Sequence, residues 1–352
     1  MTEPAQRLHL PEQGLDALLV SSPANIRYLT GFTGSNALLL VGEKTVLFTD
    51  PRYRLQAAAE CPCHVRVERG SLLVAAAGWV RRKPIHRLGF ERAHLSYESF
   101  LALGSHLPSG VDLTPLAGHV EALRMIKSPQ EIELIRCSVK LNSQAFARCL
   151  RSVRPGITEL DLAAEIDHQM RKLGAEKQAF ETIVASGLRS ALPHASPTSK
   201  TLAANELLLI DMGAVRDGYS SDMTRMAFLG RPGAQVRQRY RAVVEAQLAA
   251  IDVVREGVSA EAVDRAARRV LKAHKLDRAF VHSAGHGLGL EIHEAPRLGR
   301  GEKTRLKAGM AITIEPGVYL QEFGGIRIED TVVVTRTGCE ILTPTSKELV
   351  SL

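Results

Sequence analysis

The stretch from Leu207 to Met223, LLLIDMGAVRDGYSSDM, constrains the chain more than any other. Four apolar residues, Leu207 to Ile210, run directly into Asp211. A turn-rich segment (Gly213, Asp217, Gly218) then leads to Tyr219 and a second carboxylate, Asp222. A short apolar run bounded by turn signals has the pattern of a buried strand. An ionised carboxylate at the end of such a strand is costly to leave unpaired, and two on adjacent arms of one hairpin repel each other. A cation between them relieves both costs, so the stretch predicts a metal site set into a buried hairpin. Tyr219 reads as packing or pocket lining.

Further candidates lie downstream. His286 sits in HSAGHGLGL (282–290), where flanking glycines let the backbone come close to whatever the imidazole serves. His293 and Glu294 follow in HEAP. Glu315 ends the apolar run Met310 to Ile314 and precedes Pro316-Gly317, and Glu329 lies in GGIRIED, ahead of the apolar run Thr331 to Val334. Asp211, Glu315 and Glu329 thus share one layout, a carboxylate within or ending a β-type run. With Asp222, the four carboxylates carry −4, which balances two divalent ions. Oxygen donors with a single imidazole suit manganese, cobalt or iron better than structural zinc. Two such ions activate water at neutral pH and clamp a tetrahedral intermediate. Arg327, two residues before Glu329, shares its strand face. It is placed either to pair a carboxylate or to hold a substrate carboxylate bidentately.

The rest of the chain supplies the frame. Its 352 residues, 45% hydrophobic and 24% charged, match a globular protein of two ordinary domains. No apolar run of about 18 residues exists. The opening MTEPAQRLHLPEQG has no basic or apolar leader region, so a cytoplasmic location is expected, with no membrane partner. A net charge of +7 without long Lys/Arg blocks argues against a nucleic-acid partner. Five cysteines without a C-x-x-C read as reduced thiols.

Residues 1 to about 120 alternate strand patterns (Leu15–Val20, Ala37–Val41, Thr45–Thr49, His86–Phe90, Val111–Leu113) with helical ones (Ser71–Arg82, Ser96–His106). This is the order of an α/β domain, and it carries no nucleotide-binding glycine loop. Near Glu121–Pro129 the character changes. Ser128 with Glu131 forms a capping-box signal for a long helix whose stripe runs from Ile132 to Val153, and Thr158 with Asp161 opens a second helix. A strand over Phe180–Ser186, the carboxylate hairpin, and helices after Pro232-Gly233 and from Ser259 follow. The order of two helices then strands, stated twice, is an internal two-fold.

SDMTR (221–225), HSAGHGLGL (282–290), HEAP (293–296), EPGVY (315–319) and GGIRIED (324–330), in this order, resemble the pita-bread metallopeptidases. The likeness is strongest to their proline-specific branch, the Xaa-Pro dipeptidases (prolidases) and Xaa-Pro aminopeptidases. It extends over the whole chain, including IKSPQEIELIR, and implies an α/β creatinase-like N-terminal domain over 1–122 and an α+β pita-bread catalytic domain over 123–352. It also implies roles. Asp211 chelates a first ion, Asp222 and Glu329 bridge both, and His286 and Glu315 complete the second site. His194, in LPHASP, stands beside the substrate carbonyl or leaving group. His293 hydrogen-bonds the substrate and the tetrahedral intermediate, and His282 contacts the proline pocket. Arg327 is the candidate for a substrate carboxylate. The implied reaction is hydrolysis of the Xaa-Pro bond of dipeptides by a hydroxide bridging two Mn²⁺ or Co²⁺ ions (Fe²⁺ or Zn²⁺ also fitting), with Glu315 taking the proton. The alternative is an Xaa-Pro aminopeptidase acting on longer peptides. A homodimer is implied, with Arg52 and Tyr53 as candidates for a wall against longer chains. A metal-free binding module is disfavoured by the intact ligands, and a methionine aminopeptidase by the N-terminal domain and the HEAP and GGIRIED context.

Overall fold

The computed structural model describes residues 3–352, in two compact units, Met1–Arg124 and Met125–Leu352. The first is α/β. Its six strands lie in the order His64–Val67, Val46–Thr49, Ala37–Val41, Ala17–Val20, Arg87–Glu91, Asp112–Leu116. Ala17–Val20 runs parallel to Arg87–Glu91 and antiparallel to Ala37–Val41, so the sheet is mixed. Side chains alternate between two cores. Leu18, Val20, Leu39, Val41 and Leu47 enter one, and Ala17, Leu19, Leu40, Val46 and Phe48 the other. Both faces being covered is why these strands read as unbroken apolar runs.

The helices Leu72–Val80 and Tyr97–His106 start at Ser71 and Ser96, whose side chains cap them. Sequence patterning misses the helices Pro23–Thr30, Arg54–Glu60 and His119–Arg124 and the strand His64–Val67. Three of these elements are seven residues or shorter, and the edge strand HVRV mixes polar and apolar residues on a half-exposed surface. Arg52 and Tyr53 are engaged locally: Arg52 pairs with Asp50 at 2.8 Å, and the Tyr53 hydroxyl lies 2.6 Å from Ser35 Oγ.

The second unit is α+β. Its helices are Pro129–Cys149, Glu159–Lys172, Ala234–Asp252 and Ala260–Ala273, and the first two open on the complete capping boxes Ser128/Glu131 and Thr158/Asp161. The first helix stops at Cys149 and tightens into a turn over Leu150–Ser152, short of the expected Val153. One sheet has the order Val350–Ser351, Met223–Phe228, Leu207–Met212, Ile183–Ser186. A second has the order Glu294–Leu298, Gly285–Gly287, Ala311–Ile314, Asp330–Val334, Cys339–Ile341. Each follows a helix pair, as the two-fold element order implied.

Alternation along Leu207–Met212 fixes where its carboxylate goes. Leu208, Ile210 and Met212 face a core with Phe146, Leu162 and Ile166, whereas Leu207 and Leu209 face a core with Tyr240, Val243, Val263 and Ala267. Asp211 therefore shares the side of Leu207 and Leu209. No helix among the described residues is long and apolar enough to cross a membrane.

Candidate metal centre and its cavity

Each carboxylate reaches the site from a strand or a strand end. Asp211 sits in Leu207–Met212, directly opposite Thr224 of Met223–Phe228, and Asp222 immediately precedes that second strand. Asp211 and Asp222 are therefore on adjacent arms, with a small hairpin, Ala214–Arg216 with Tyr219–Ser220, between them. Tyr219 turns away into a cluster with Ile135 and Val139, and its hydroxyl donates to Glu131 at 3.0 Å, so it packs and does not line the site. Glu315 follows Ala311–Ile314. Glu329 lies in the two-residue link between Gly324–Arg327 and Asp330–Val334.

The glycines around His286 serve backbone approach, as expected, but toward neighbouring strands. A Cβ at Gly285 would stand 2.0 Å from the Thr313 carbonyl oxygen, and one at Gly287 would stand 2.2 Å from that of Ala295. Only glycine lets the His286 strand thread between them.

Asp222, His286 and Glu329 each place a ligand atom within 4.8 Å of the others. His286 Nε2 is 3.6 Å from Asp222 Oδ2 and 3.4 Å from Glu315 Oε1, while its Nδ1 lies 3.0 Å from the Gly287 carbonyl. That contact makes Nδ1 the donor and leaves Nε2 as a lone-pair donor aimed at the carboxylates. Two buried oxygens, Asp211 Oδ1 and Glu329 Oε1, have no hydrogen-bond partner. Buried polar atoms are rarely left so. Burial, followed by repulsion from neighbouring carboxylates, raises Asp222 and Glu329 well above the usual carboxylate range. Burial likewise pushes Glu315 up to about 7 and holds His286 below its ordinary value. Four crowded carboxylates, two orphaned oxygens and one oriented imidazole fit a dinuclear centre for divalent cations.

A supporting layer orients these groups. Thr224 Oγ1 donates to Glu329 Oε2 at 2.8 Å and accepts from Arg327 Nε at 3.0 Å. Thr313 Oγ1 accepts from the His286 amide at 3.1 Å and donates to Glu315 at 3.3 Å. Arg225, 1% exposed, ties its guanidinium to Asp330 at 2.7 Å and to the backbone carbonyl of Glu329. Asp330 also accepts from Gln247 and pairs with Lys347 at 2.6 Å.

Arg327 takes the ion-pair alternative. Its Nη2 donates to Asp211 Oδ2 at 2.7 Å, and its Nη1 donates to the Tyr319 hydroxyl at 2.6 Å and to the Pro193 carbonyl at 3.1 Å. With the bond from Nε to Thr224, protein acceptors take four of the five guanidinium N–H groups. The ion pair with Asp211 is the alternative the structure shows, and Arg327 also lines the cavity over the cluster.

A cavity of about 580 Å³ opens over the cluster, lined by the carboxylates, His286, and also His194, His282, His293, Glu294 and Arg297. The His293 ring stands edge-on to His286 with centroids 4.4 Å apart, and burial lowers its pKa. Glu294 is held by Lys127 at 3.0 Å. Burial lowers His282 to about 4, so it is neutral at pH 7. Its Nδ1 lies 2.8 Å from the Ser283 carbonyl and its Nε2 lies 2.9 Å from the Tyr319 hydroxyl. A single assignment satisfies this chain: Arg327 donates to Tyr319, Tyr319 to His282 Nε2, and His282 Nδ1 to Ser283. Burial pushes the Tyr319 phenol up to about 12, which keeps it a donor.

His194 is exposed, on the loop that ends in Pro193 and Ser196 contacts. That loop is held by a residue that no sequence motif marks. Glu159, fully buried at the start of its helix, accepts from the Ser186 amide (2.8 Å), the Thr198 amide (3.1 Å) and Arg189 Nε (3.0 Å). Arg189 in turn donates to the Ser196 carbonyl at 2.7 Å. Arg225, Tyr319 and Asp330 were visible within the quoted motifs, but only their contacts reveal what they do. Arg297 was also missed; it has no motif position of its own and joins the site only through the cavity wall.

Comparison with known proteins bears on the same residues. The model of Metallopeptidase family M24 matches residues 133–336, and that of the Creatinase/Prolidase N-terminal domain matches residues 6–126. The Xaa-Pro dipeptidase of Pyrococcus furiosus is 35% identical over 345 residues, 97% of each chain. The solved structure of Xaa-Pro dipeptidase from Bacillus anthracis superposes with a TM-score of 0.96 at 36% identity, over 99% of each chain. That of X-Pro aminopeptidase from Thermotoga maritima gives 0.93 at 34% identity, over 99% of this chain and 100% of the other. The α/β unit followed by an α+β pita-bread unit is thus matched end to end. The likeness covers sequence, fold and order of domains together, and the chain belongs to metallopeptidase family M24.

Proposed function

We propose that this metallopeptidase hydrolyses the Xaa-Pro bond of dipeptides, with two divalent ions held by Asp211, Asp222, His286, Glu315 and Glu329. The observation that carries the reading is the pair of partnerless buried oxygens, Asp211 Oδ1 and Glu329 Oε1, within a crowded carboxylate cluster that forms part of a cavity wall. Likeness over nearly the whole chain to proteins described as Xaa-Pro dipeptidases supports the proline specificity. Asp211 would hold the first ion, Asp222 and Glu329 would be shared by both, and His286 and Glu315 would complete the second position. The oxygen-rich donor set favours Mn²⁺ or Co²⁺. Bound there, the ions would acidify water at neutral pH and draw charge from the scissile carbonyl.

The chain's own groups do the rest. Glu315 accepts the proton of the attacking water and passes it to the departing proline nitrogen. His293, beside His286, donates to the carbonyl oxygen as charge develops on it. His194 holds the substrate from the opposite loop. His282 has both ring nitrogens satisfied and is neutral, so it presents an uncharged ring to proline, an imino acid whose amide has no N–H to recognise. Arg327 acts on this end indirectly, through Asp211 and Tyr319. Arg297, which makes no ion pair among the described residues, lines the cavity beside His282 and is the cation available to a dipeptide's terminal carboxylate.

A homodimer in the cytoplasm belongs to the same proposal, and light scattering on the purified protein tests the dimer. The activity is tested by supplying Mn²⁺ and comparing Ala-Pro with Ala-Pro-Gly, using Glu315→Ala as control. The reading requires cleavage of Ala-Pro that the control lacks. Cleavage of the tripeptide alone would replace it with the aminopeptidase reading, which the Thermotoga maritima likeness keeps in view.

A further inference from the structure

A second cavity, of about 520 Å³, adjoins the metal cavity and shares three wall residues with it: His282, Ser283 and Arg297. The metal cavity alone has an ordinary small-ligand volume, so a dipeptide needs nothing from its neighbour. The neighbour's wall is unusually cationic. Arg268, Arg278, Arg297 and Arg300 line it, against one acid, Asp277.

Arg268 is already committed. It pairs with Asp264 at 2.7 Å, donates to the Phe280 and His282 carbonyls, and lies over the Phe280 ring at 4.2 Å, closing the apolar face of that side chain. It thereby fixes the backbone that carries His282. Arg278, Arg297 and Arg300 make no ion pair and no side-chain hydrogen bond among the described residues. Arg278, Arg297 and Arg300 against one lining carboxylate repel cations; the wall's apolar part is Val281 and a Phe280 ring covered by Arg268, and Glu302 is a further acid, beside Arg297. What such a wall selects is an anion with the planar geometry of a carboxylate.

Continuity with the metal cavity says where that anion comes from. The shared wall includes His282, which the proposed function places against proline. A peptide continuing past proline leaves the metal cavity at this end. We propose that the second cavity is an anion-selective subsite for the segment following proline in longer peptides, recognising a carboxylate side chain on the first residue after it. The inference rests on the proline reading given above. It adds to dipeptide hydrolysis an activity on longer acidic peptides, with Arg278 and Arg300 as specificity-determining residues.

The test uses the full-length protein loaded with Mn²⁺ and three substrates: Ala-Pro, Ala-Pro-Glu-Gly-amide and Ala-Pro-Gln-Gly-amide. Amidation leaves the glutamate side chain as the sole carboxylate of the tetrapeptide. The readout is the ratio of kcat/KM for the Glu peptide to that for the Gln peptide, in which general damage to a variant cancels. A preference of about fivefold is expected from two partly exposed charge contacts. It should act through KM, shrink as salt is raised, and collapse to about one in Arg278→Gln/Arg300→Gln. A ratio near one in the parent protein, or one that survives in the double variant, overturns the subsite. Cleavage of Ala-Pro with neither tetrapeptide cut also overturns it while leaving the proposed function intact. Failure to cleave any of the three removes the proline reading, and the subsite with it.

Discussion

At the scale of single residues, the centre is a set of carboxylates that the protein alone leaves under strain. Asp222, Glu329 and Glu315 all have pKa values raised by burial, Glu315 to about 7. A carboxyl whose folded pKa lies above its unfolded value binds a proton more tightly in the folded state. In metal-free protein these carboxyls therefore contribute stability that is present at low pH and lost as pH rises toward about 7, while His282, His286 and His293, held below their ordinary values, contribute in the opposite sense. Cations replace the carboxyl protons, so with saturating Mn²⁺ the carboxyl contribution disappears and metal binding releases protons. Melting temperatures at pH 5.5, 6.5 and 7.5, with and without Mn²⁺, measure both slopes. Glu315→Gln isolates the carboxyl contribution: a metal-free parent whose pH slope equals that of the variant would contradict this account. Thr224 stands behind the ligands, bridging Glu329 and Arg327. Thr224→Val keeps its shape and removes both bonds. A loss of roughly 10–100-fold in Mn²⁺ affinity is expected by calorimetric titration, with the folded structure retained.

At the scale of elements, the site depends on pairs that hold strands and loops in register. Arg225 and Asp330, at 1% and 0% exposure, join the Met223–Phe228 strand to the link carrying Glu329. Removing Arg225 takes one of two cations from Asp330, which keeps Lys347 and Gln247, and leaves the Ser346, Thr345 and Glu329 carbonyls without this donor. Arg225→Met should cost about 3–5 kcal/mol in urea unfolding, and cost less when combined with Asp330→Asn. Glu159 plays the same part for the His194 loop. Glu159→Gln keeps the volume but presents an amide to donors from Ser186, Arg189 and Thr198. Hydrogen exchange over residues 187–198 should rise while exchange in the Ala260–Ala273 helix stays as it was. Uniform exchange changes across the unit would show that Glu159 is merely structural.

The same elements show what could be read in advance. The run Leu207–Ile210 into Asp211 announced a buried strand with a misplaced charge, and the alternation of its neighbours between two cores explains why. Both capping boxes, and the starts of the long helices they govern, followed from local chemistry at Ser128 and Thr158. Short elements such as Arg54–Glu60 left no periodic trace. Long-range partners left none either. Nothing in the sequence says that Arg327 belongs to Asp211, 116 positions away, or that Arg189 reaches Glu159. Such pairings are fixed by tertiary packing.

At the scale of the whole molecule, a dinuclear centre contributes to stability as well as to chemistry, because five ligands carried on separate strands and strand ends are apart in the unfolded chain. Free Mn²⁺ at about 100 times its dissociation constant should stabilise the fold by about 2.7 kcal/mol per site. The increase should be absent in Asp222→Ala and seen as a concentration-dependent melting temperature in the parent. Both units are matched by family models in the order found here, and the likeness to prolidases and to an X-Pro aminopeptidase extends over nearly the full length.

The most direct measurement is the metal content of the purified chain after equilibration with Mn²⁺ and desalting, read alongside Ala-Pro hydrolysis by the same sample. The account predicts two ions per chain, loss of both in Asp222→Ala, and hydrolysis that rises with occupancy. Stoichiometric metal without hydrolysis of any Xaa-Pro substrate would contradict the proline specificity. Active protein with no bound metal would contradict the centre itself.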